Sequence, residues 1–273
     1  FSGLFQPTDV AVDEAGNVYV TDRFNDRVLK LTAGGGAQQT LGFIGLFDPR
    51  GVAVDGLGNV YVVTQGVLSK LPAGGGPQVD LPTANSFGGD VEVDAAGNVY
   101  LTNTSNQVVR YTGGAGTPVV LGFADLASAE GLALDASGNV YVVDGDNQRV
   151  VRLPAGGGPQ EVVATGLDSV WDVAVDATGT AFVSLRFVAR VLAAPAPGAQ
   201  IARGFAGLQT PYAVAVRASG EIVVADAGLN EVRSVPVGAG DQQTLGFTGL
   251  SLPYGVAVDG SGNVYVADSG NNR

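Results

Sequence analysis

The chain has 273 residues, a formal charge of −12 and a hydrophobic content of 45%, so it holds enough apolar material for a compact core while disfavouring partners that are themselves anionic. Only two of its 14 cations are lysines, which opposes binding to a phosphate backbone or an anionic membrane surface. With no Cys and no His, disulfides, thiolate nucleophiles and imidazole bases or metal ligands are all excluded.

The first predicted unit opens with a β-rich run at residues 9–13, turns through Glu14-Ala15-Gly16-Asn17, and returns through Val18-Tyr19-Val20-Thr21. Two such runs joined by a short Gly-containing loop predict an antiparallel hairpin. Residues 27–31 give a third run and residues 38–41 a fourth, so each unit is predicted to be a four-stranded meander.

Further first strands are predicted near Val52, Val91, Leu132, Val173, Val214 and Val256. Each is followed by an acidic mark, at Asp13, Asp55, Asp94, Asp135, Asp176 and Asp259, with Arg217 standing in at the sixth copy. The marks recur about every 39 to 42 residues, a period typical of small sheet units repeated in an array. Glycine tracts at 33–36, 73–76 and 155–158 are predicted to be flexible outer loops. Copy five, with Trp171, Phe182 and the Ala/Pro run 193–197, departs furthest from the pattern.

Valines alternate along the inner strands with small or aromatic residues, so both sheet faces are apolar and both need cover. Radial packing about an axis supplies that cover, and the expected fold is an all-β propeller of four-stranded antiparallel blades, one domain over 1–273. Seven first strands favour seven blades with the last incomplete, six being the alternative. The incomplete blade offers an open edge through which copies could associate, and the chain reads as a piece of a longer repeat array.

The linker Phe43-Ile44-Gly45-Leu46-Phe47-Asp48-Pro49-Arg50-Gly51-Val52 recurs at Phe205 to Pro211 and at Phe247 to Pro253, continuing into Val-Ala-Val-Asp, Gly-Asn-Val-Tyr-Val and an Asp/Arg pair five apart. In these residues the chain resembles the NHL repeat family, and is similar to the extracellular sensor domains of actinobacterial receptor serine/threonine kinases. The resemblance implies an extracellular location, as the ectodomain of a membrane-anchored protein, and six blades. It also implies that Asp22/Arg27, Asp144/Arg149 and Asp268/Arg273 form a structural ladder.

One position varies where the rest is nearly constant. The residue just ahead of each first strand is Thr8, Arg50, Gly89, Glu130, Trp171, Tyr212 and Tyr254 in turn. Equivalent entry into equivalent strands places them around one mouth of the central channel, with three aromatics adjacent. Thr8, Arg50, Glu130, Trp171, Tyr212 and Tyr254 are therefore the expected ligand-binding residues, for a protein or small molecule, the competing reading being a plain hydrophobic cap. Asp9, Asp90 and Asp172, one place further along, line the same mouth and could bind a cation.

No catalytic residue, metal site or cofactor is expected. The preferred reading is a non-enzymatic sensor module, with a carboxylate- or calcium-dependent lactonase- or lyase-like enzyme and a structural or engineered scaffold as alternatives.

Overall fold

A computed structural model of the chain describes residues 1–87, 90–202, 205–236 and 241–273. Among these residues six antiparallel sheets have four strands each, in the order of the sequence from inside to outside, and a further sheet has two. The innermost strands are Pro7–Val12, Gly51–Val54, Val91–Val93, Ala129–Leu134, Val170–Val175, Pro211–Val216 and Pro253–Val258. Each packs against the next, and Pro253–Val258 also packs against Pro7–Val12, so the ring closes through the two-stranded sheet. The expected blade count is thus met in part: six four-stranded blades form, and the seventh inner strand pairs with one partner, Val264–Asp268.

The acidic mark explains the tightness of each inner hairpin. Asp13 Oδ1 accepts the N–H groups of Ala15 and Asn17, and its Oδ2 accepts Asn17 Nδ2 at 2.7 Å and the Tyr19 hydroxyl at 2.9 Å. Gly16 supplies the φ of +80° that the turn requires. The same carboxylate-to-tyrosine bond recurs from Tyr61, Tyr100, Tyr141 and Tyr265, while at the sixth hairpin Arg217 pairs with Glu221 instead. This is why Asp, Gly-Asn and Tyr recur at fixed offsets.

The core lies between sheets. Tyr19, Val28, Leu46, Val52, Val60 and Val62 fill the gap between the first two sheets, and Phe182, Val191, Leu208, Val214 and Val224 fill that between the fifth and sixth. Copy five, the most divergent in sequence, nonetheless forms all four strands. Its third strand, Arg190–Ala196, carries Pro195 where the pairing to the outer strand shifts between Ala193 and Ala196, so the missing N–H falls outside the ladder.

The Asp/Arg pairs form as expected. Arg149 Nε donates to Asp144 at 2.6 Å, and the fully buried Asp144 also accepts Ala127 N–H at 2.6 Å and Asn147 Nδ2 at 3.0 Å. Arg149 reaches on to the Asp125 carbonyl at 3.1 Å. The linker arriving from the preceding blade is thereby stapled to the second strand, and Asp22 and Asp268 repeat the arrangement.

Candidate functional site

The rim residues reach the channel mouth through a backbone irregularity. In the first strand of the fifth, sixth and seventh sheets the pairing jumps by one residue at Trp171, Tyr212 and Tyr254, between Val170 and Asp172, Pro211 and Ala213, and Pro253 and Gly255. A β-bulge of this kind leaves one residue outside the ladder and re-aims its side chain. The first and fourth sheets shift likewise, between Pro7 and Val10 and between Ala129 and Leu132, around Thr8 and Glu130.

Hydroxyls from the second strands pin the rim backbone. Thr102 Oγ1 donates to the Glu130 carbonyl at 3.1 Å and Ser184 Oγ to the Tyr212 carbonyl at 3.1 Å, each crossing from one sheet to the next. The Asp9 N–H, freed by the bulge, is taken by Thr21 Oγ1 at 2.9 Å.

One cavity of about 530 Å³ collects all six rim residues: Thr8, Arg50, Glu130, Trp171, Tyr212 and Tyr254. Gly89, the remaining rim position, lies outside the described residues. Trp171 meets Tyr212 edge-on at a centroid distance of 5.5 Å and Tyr254 at 6.5 Å, and the two tyrosine rings lie 4.5 Å apart. Such pairs hold one another in place beyond the area they bury.

Two arginines that position alone did not predict complete the mouth. Arg186 stacks over Tyr212 at 4.3 Å and Trp171 at 5.0 Å, and is itself not part of the cavity wall. Arg23, which does line the cavity, joins Arg50 on the carboxylate of Asp48. Burial would raise that carboxyl, but hydrogen bonds from Arg23, Arg50 and Gln65 hold it at about 2. Arg23 and Arg186 come from the turns between second and third strands, which antiparallel pairing returns to the mouth.

Beneath the rim stand Asp9, Asp90 and Asp172, shared by this cavity and by a second one of about 380 Å³ further down the channel. Each carboxylate bridges two sheets. Asp9 accepts Val10 N–H and, across the gap, Val52 N–H, both at 2.8 Å; Asp90 does so for Val91 and Leu132, and Asp172 for Val173 and Val214. The acids occupy the first, third and fifth sheets, and at two of the intervening positions a side chain would be crowded: a Cβ on Gly131 would meet Trp171 O at 3.1 Å, and one on Gly255 would meet Thr8 O at 2.9 Å.

Enclosure by the ring and the mutual repulsion of these acids favour protonation. Burial, followed by the charge of Asp90, pushes Asp9 up to about 7, and the same causes push Asp172 up to about 8. Asp90 is raised by burial, and Glu92, next down the channel, by burial and by the charges of Asp90, Asp9 and Asp172. Glu130 is raised by burial too, while its Oε1 accepts the Ser128 hydroxyl at 2.9 Å. Among the described residues no cluster of acidic groups is arranged to hold a metal ion.

The NHL repeat pattern matches residues 126–153 and 250–273, the fourth unit and the two-stranded seventh. The fold is a β-propeller in which these two units match the NHL repeat. No curated protein sequence matches the chain. Streptogramin B lyase superposes with a TM-score of 0.86 at 15% identity, over 98% of this chain and 93% of that one. A catalytically inactive histidine-to-alanine variant of virginiamycin B lyase from Staphylococcus aureus, with quinupristin, gives 0.81 at 13%, over 97% and 92%. The extracellular domain of a hybrid two component system from B. thetaiotaomicron gives 0.75 at 14%, over 97% of this chain and 39% of that one.

These likenesses correct one expectation. The absence of His and Cys was the ground for reading the chain as no enzyme, yet propellers of this shape over nearly its whole length include lyases. A missing residue type removes particular chemistries and leaves the class of enzymes open.

Proposed function

We propose that the channel mouth is a recognition site for a small molecule with a flat or apolar body, which the aromatic wall of Trp171, Tyr212 and Tyr254 receives. The carrying observation is that bulges in three successive sheets turn these side chains into a single cavity of about 530 Å³. Rings supply contact area at low entropy cost, and their edge-on packing with Arg186 above them fixes the wall before a ligand arrives. Trp171 is the only tryptophan in the chain, so its fluorescence reports the site directly. A neutral aromatic probe such as phenethyl alcohol should change that fluorescence saturably. The Tyr212→Ala/Tyr254→Ala variant should weaken binding at least about tenfold, and an unchanged affinity would defeat the assignment.

An extracellular sensor role accords with this reading. It is supported by the likeness to the extracellular domain of the two component system and by the linker and hairpin residues that resemble kinase ectodomains. Cleavage of the protein by added protease on intact cells of its host checks the location.

A second reading, proton transfer leading to elimination, is favoured by one observation. Asp9 and Asp172 stand beneath the aromatic wall with carboxyls brought to about 7 and about 8, suited to exchanging a proton near neutral pH. Incubation with quinupristin followed by chromatography and fragmentation mass spectrometry tests it, since an elimination that opens a ring leaves the mass unchanged: a new isomer that Asp172→Asn fails to form supports the reading, and an unaltered compound opposes it.

We also propose that the two-stranded sheet occupies a seventh blade position, because it packs between the sixth and first sheets and Gln6 N–H donates to Asn272 Oδ1 at 2.8 Å. Removing residues 250–273 should then expose the inner strands on both sides and abolish cooperative unfolding. A soluble product with an unchanged melting temperature would oppose this.

A further inference from the structure

The mouth is unevenly charged, and the imbalance bears on what it receives. Its cationic side chains are already engaged. Arg23 and Arg50 share Asp48, and Arg186 is stacked on the rings outside the cavity wall. The carboxylates in the wall are not: among the described residues no Arg or Lys lies within ion-pairing distance of Asp9, Asp90, Asp172 or Glu130. Each oxygen of the three aspartates accepts one backbone N–H, which leaves a second lone pair on each.

We propose, resting on the reading of the mouth as a small-molecule site, that its ligand carries a protonated amine, with the apolar body against Trp171, Tyr212 and Tyr254 and the ammonium turned toward the aspartate floor.

Three features of the wall carry this together. Aromatic faces attract an organic cation and gain most where water is excluded. Once ionised, the aspartates of the floor supply acceptors and no donors beyond the backbone N–H groups already committed, so they suit a cation that only donates and that by its charge favours the ionised form. An ammonium is such a group, with up to three N–H bonds to give. A carboxylate or phosphate on the ligand would meet four acids in the same cavity, against two arginines, Arg23 and Arg50, that already share the Asp48 carboxylate. The tendency of Asp9 and Asp172 to hold protons near neutrality has the same origin: the ring brings negative charges together without a counter-charge, and an ammonium would provide one. A bare metal ion fits less well, since no group of acids among the described residues is arranged to surround one.

The experiment compares three probes of similar shape on the intact chain, followed by Trp171 fluorescence: phenethylamine, phenethyl alcohol and phenylacetate. Phenethylamine is expected to bind roughly tenfold or more tightly than the alcohol, and phenylacetate more weakly than either. Asp172→Asn and Asp9→Asn should each erode the preference for the amine while leaving the affinity for the alcohol in place. Because those changes also touch inter-sheet hydrogen bonds, Glu130→Gln serves as the second variant, with melting curves confirming a folded chain. The Glu130 side chain accepts the Ser128 hydroxyl, which Gln can still receive.

An alcohol that binds as well as the amine, or a phenylacetate that binds better, overturns the proposal while the mouth still stands as a site. Amine binding that survives unchanged in all three variants overturns it as well. If no probe alters the fluorescence, the reading of the mouth as a small-molecule site falls, and the amine proposal with it.

Discussion

Asp144→Ala is expected to destabilise the protein by about 3 to 5 kcal/mol, the range found when one partner of a buried ion pair is removed. Asp144 is fully buried and gathers three donors on one carboxylate: the Ala127 N–H, Asn147 Nδ2 and Arg149 Nε. Alanine would strand all three, and the linker that brings the chain into the fourth blade would lose its anchor. The cost should follow the exposure of the arginine. It should be largest for Asp144, whose Arg149 side chain is 21% exposed, smaller for Asp22, with Arg27 at 32%, and least for Asp268, with Arg273 at 51%. Arg152→Ala, which breaks a pair with Glu161 in which neither partner is fully buried, serves as a control and should cost about 1 kcal/mol. Denaturant unfolding measures this as a fall in midpoint at constant slope. A loss at Asp144 no greater than that at Arg152 would mean that the ladder is ornamental.

The same staple shows why much of the architecture was readable from the chain. Asp13, Gly16, Asn17 and Tyr19 recur because they join in one hydrogen-bonded hairpin, so repetition in sequence reports repetition in geometry. The rim was readable for a related reason. Thr8, Arg50, Glu130, Trp171, Tyr212 and Tyr254 occupy one position of the repeat, and equivalent positions in a ring converge.

What remained hidden depends on contacts between different parts of the repeat. Arg23 and Arg186 belong to the turn after the second strand, and only the antiparallel register, in which Pro7 faces Asp22 and Val170 faces Leu185, brings that turn to the mouth. That register was implied by the predicted hairpin, so extending each second strand by one residue would have found both. The bridging of alternate sheets by Asp9, Asp90 and Asp172 depends on what the neighbouring sheet offers. Gly131 and Gly255 leave the room, and no single strand shows this. The exclusion of enzymatic function failed differently: the lack of His and Cys removes particular chemistries only, and Asp9, Asp90 and Asp172 stand about 80 residues apart in sequence, so their enclosure together in one channel shows only in the closed ring.

That altered proton affinity leads to the second large effect: the protein should lose stability as pH rises from about 4 to about 8. In the unfolded chain the aspartates release their protons near 3.8, whereas in the folded ring Asp9 holds its proton to about 7 and Asp172 to about 8, with Asp90 and Glu92 raised beside them. The folded state therefore binds more protons across that window, and linkage makes stability fall as pH rises through it. The carboxyls with lowered values act in the opposite direction and elsewhere. Asp48, held at about 2, contributes stability that is present above the unfolded value and disappears only as the solution becomes strongly acid. A maximum near pH 4 to 5 follows. Each tenfold change in proton affinity corresponds to about 1.4 kcal/mol, and the channel acids repel one another, so their effects overlap; a combined loss of about 5 kcal/mol by pH 8 is expected, or roughly 10 to 20 °C in melting temperature. Asp172→Asn should flatten the slope, because it removes one titrating charge and relieves the repulsion on Glu92, even though Asn replaces only one of the two oxygens that now receive Val173 and Val214 N–H. Melting curves at pH 5, 6.5 and 8 for the native chain and this variant separate the two contributions, slope reporting charge and offset reporting the lost acceptor. A melting temperature that is flat or rises over this range would show that the channel acids are ionised and solvated like surface carboxylates, and the electronegative floor beneath the aromatic wall would lose its physical basis.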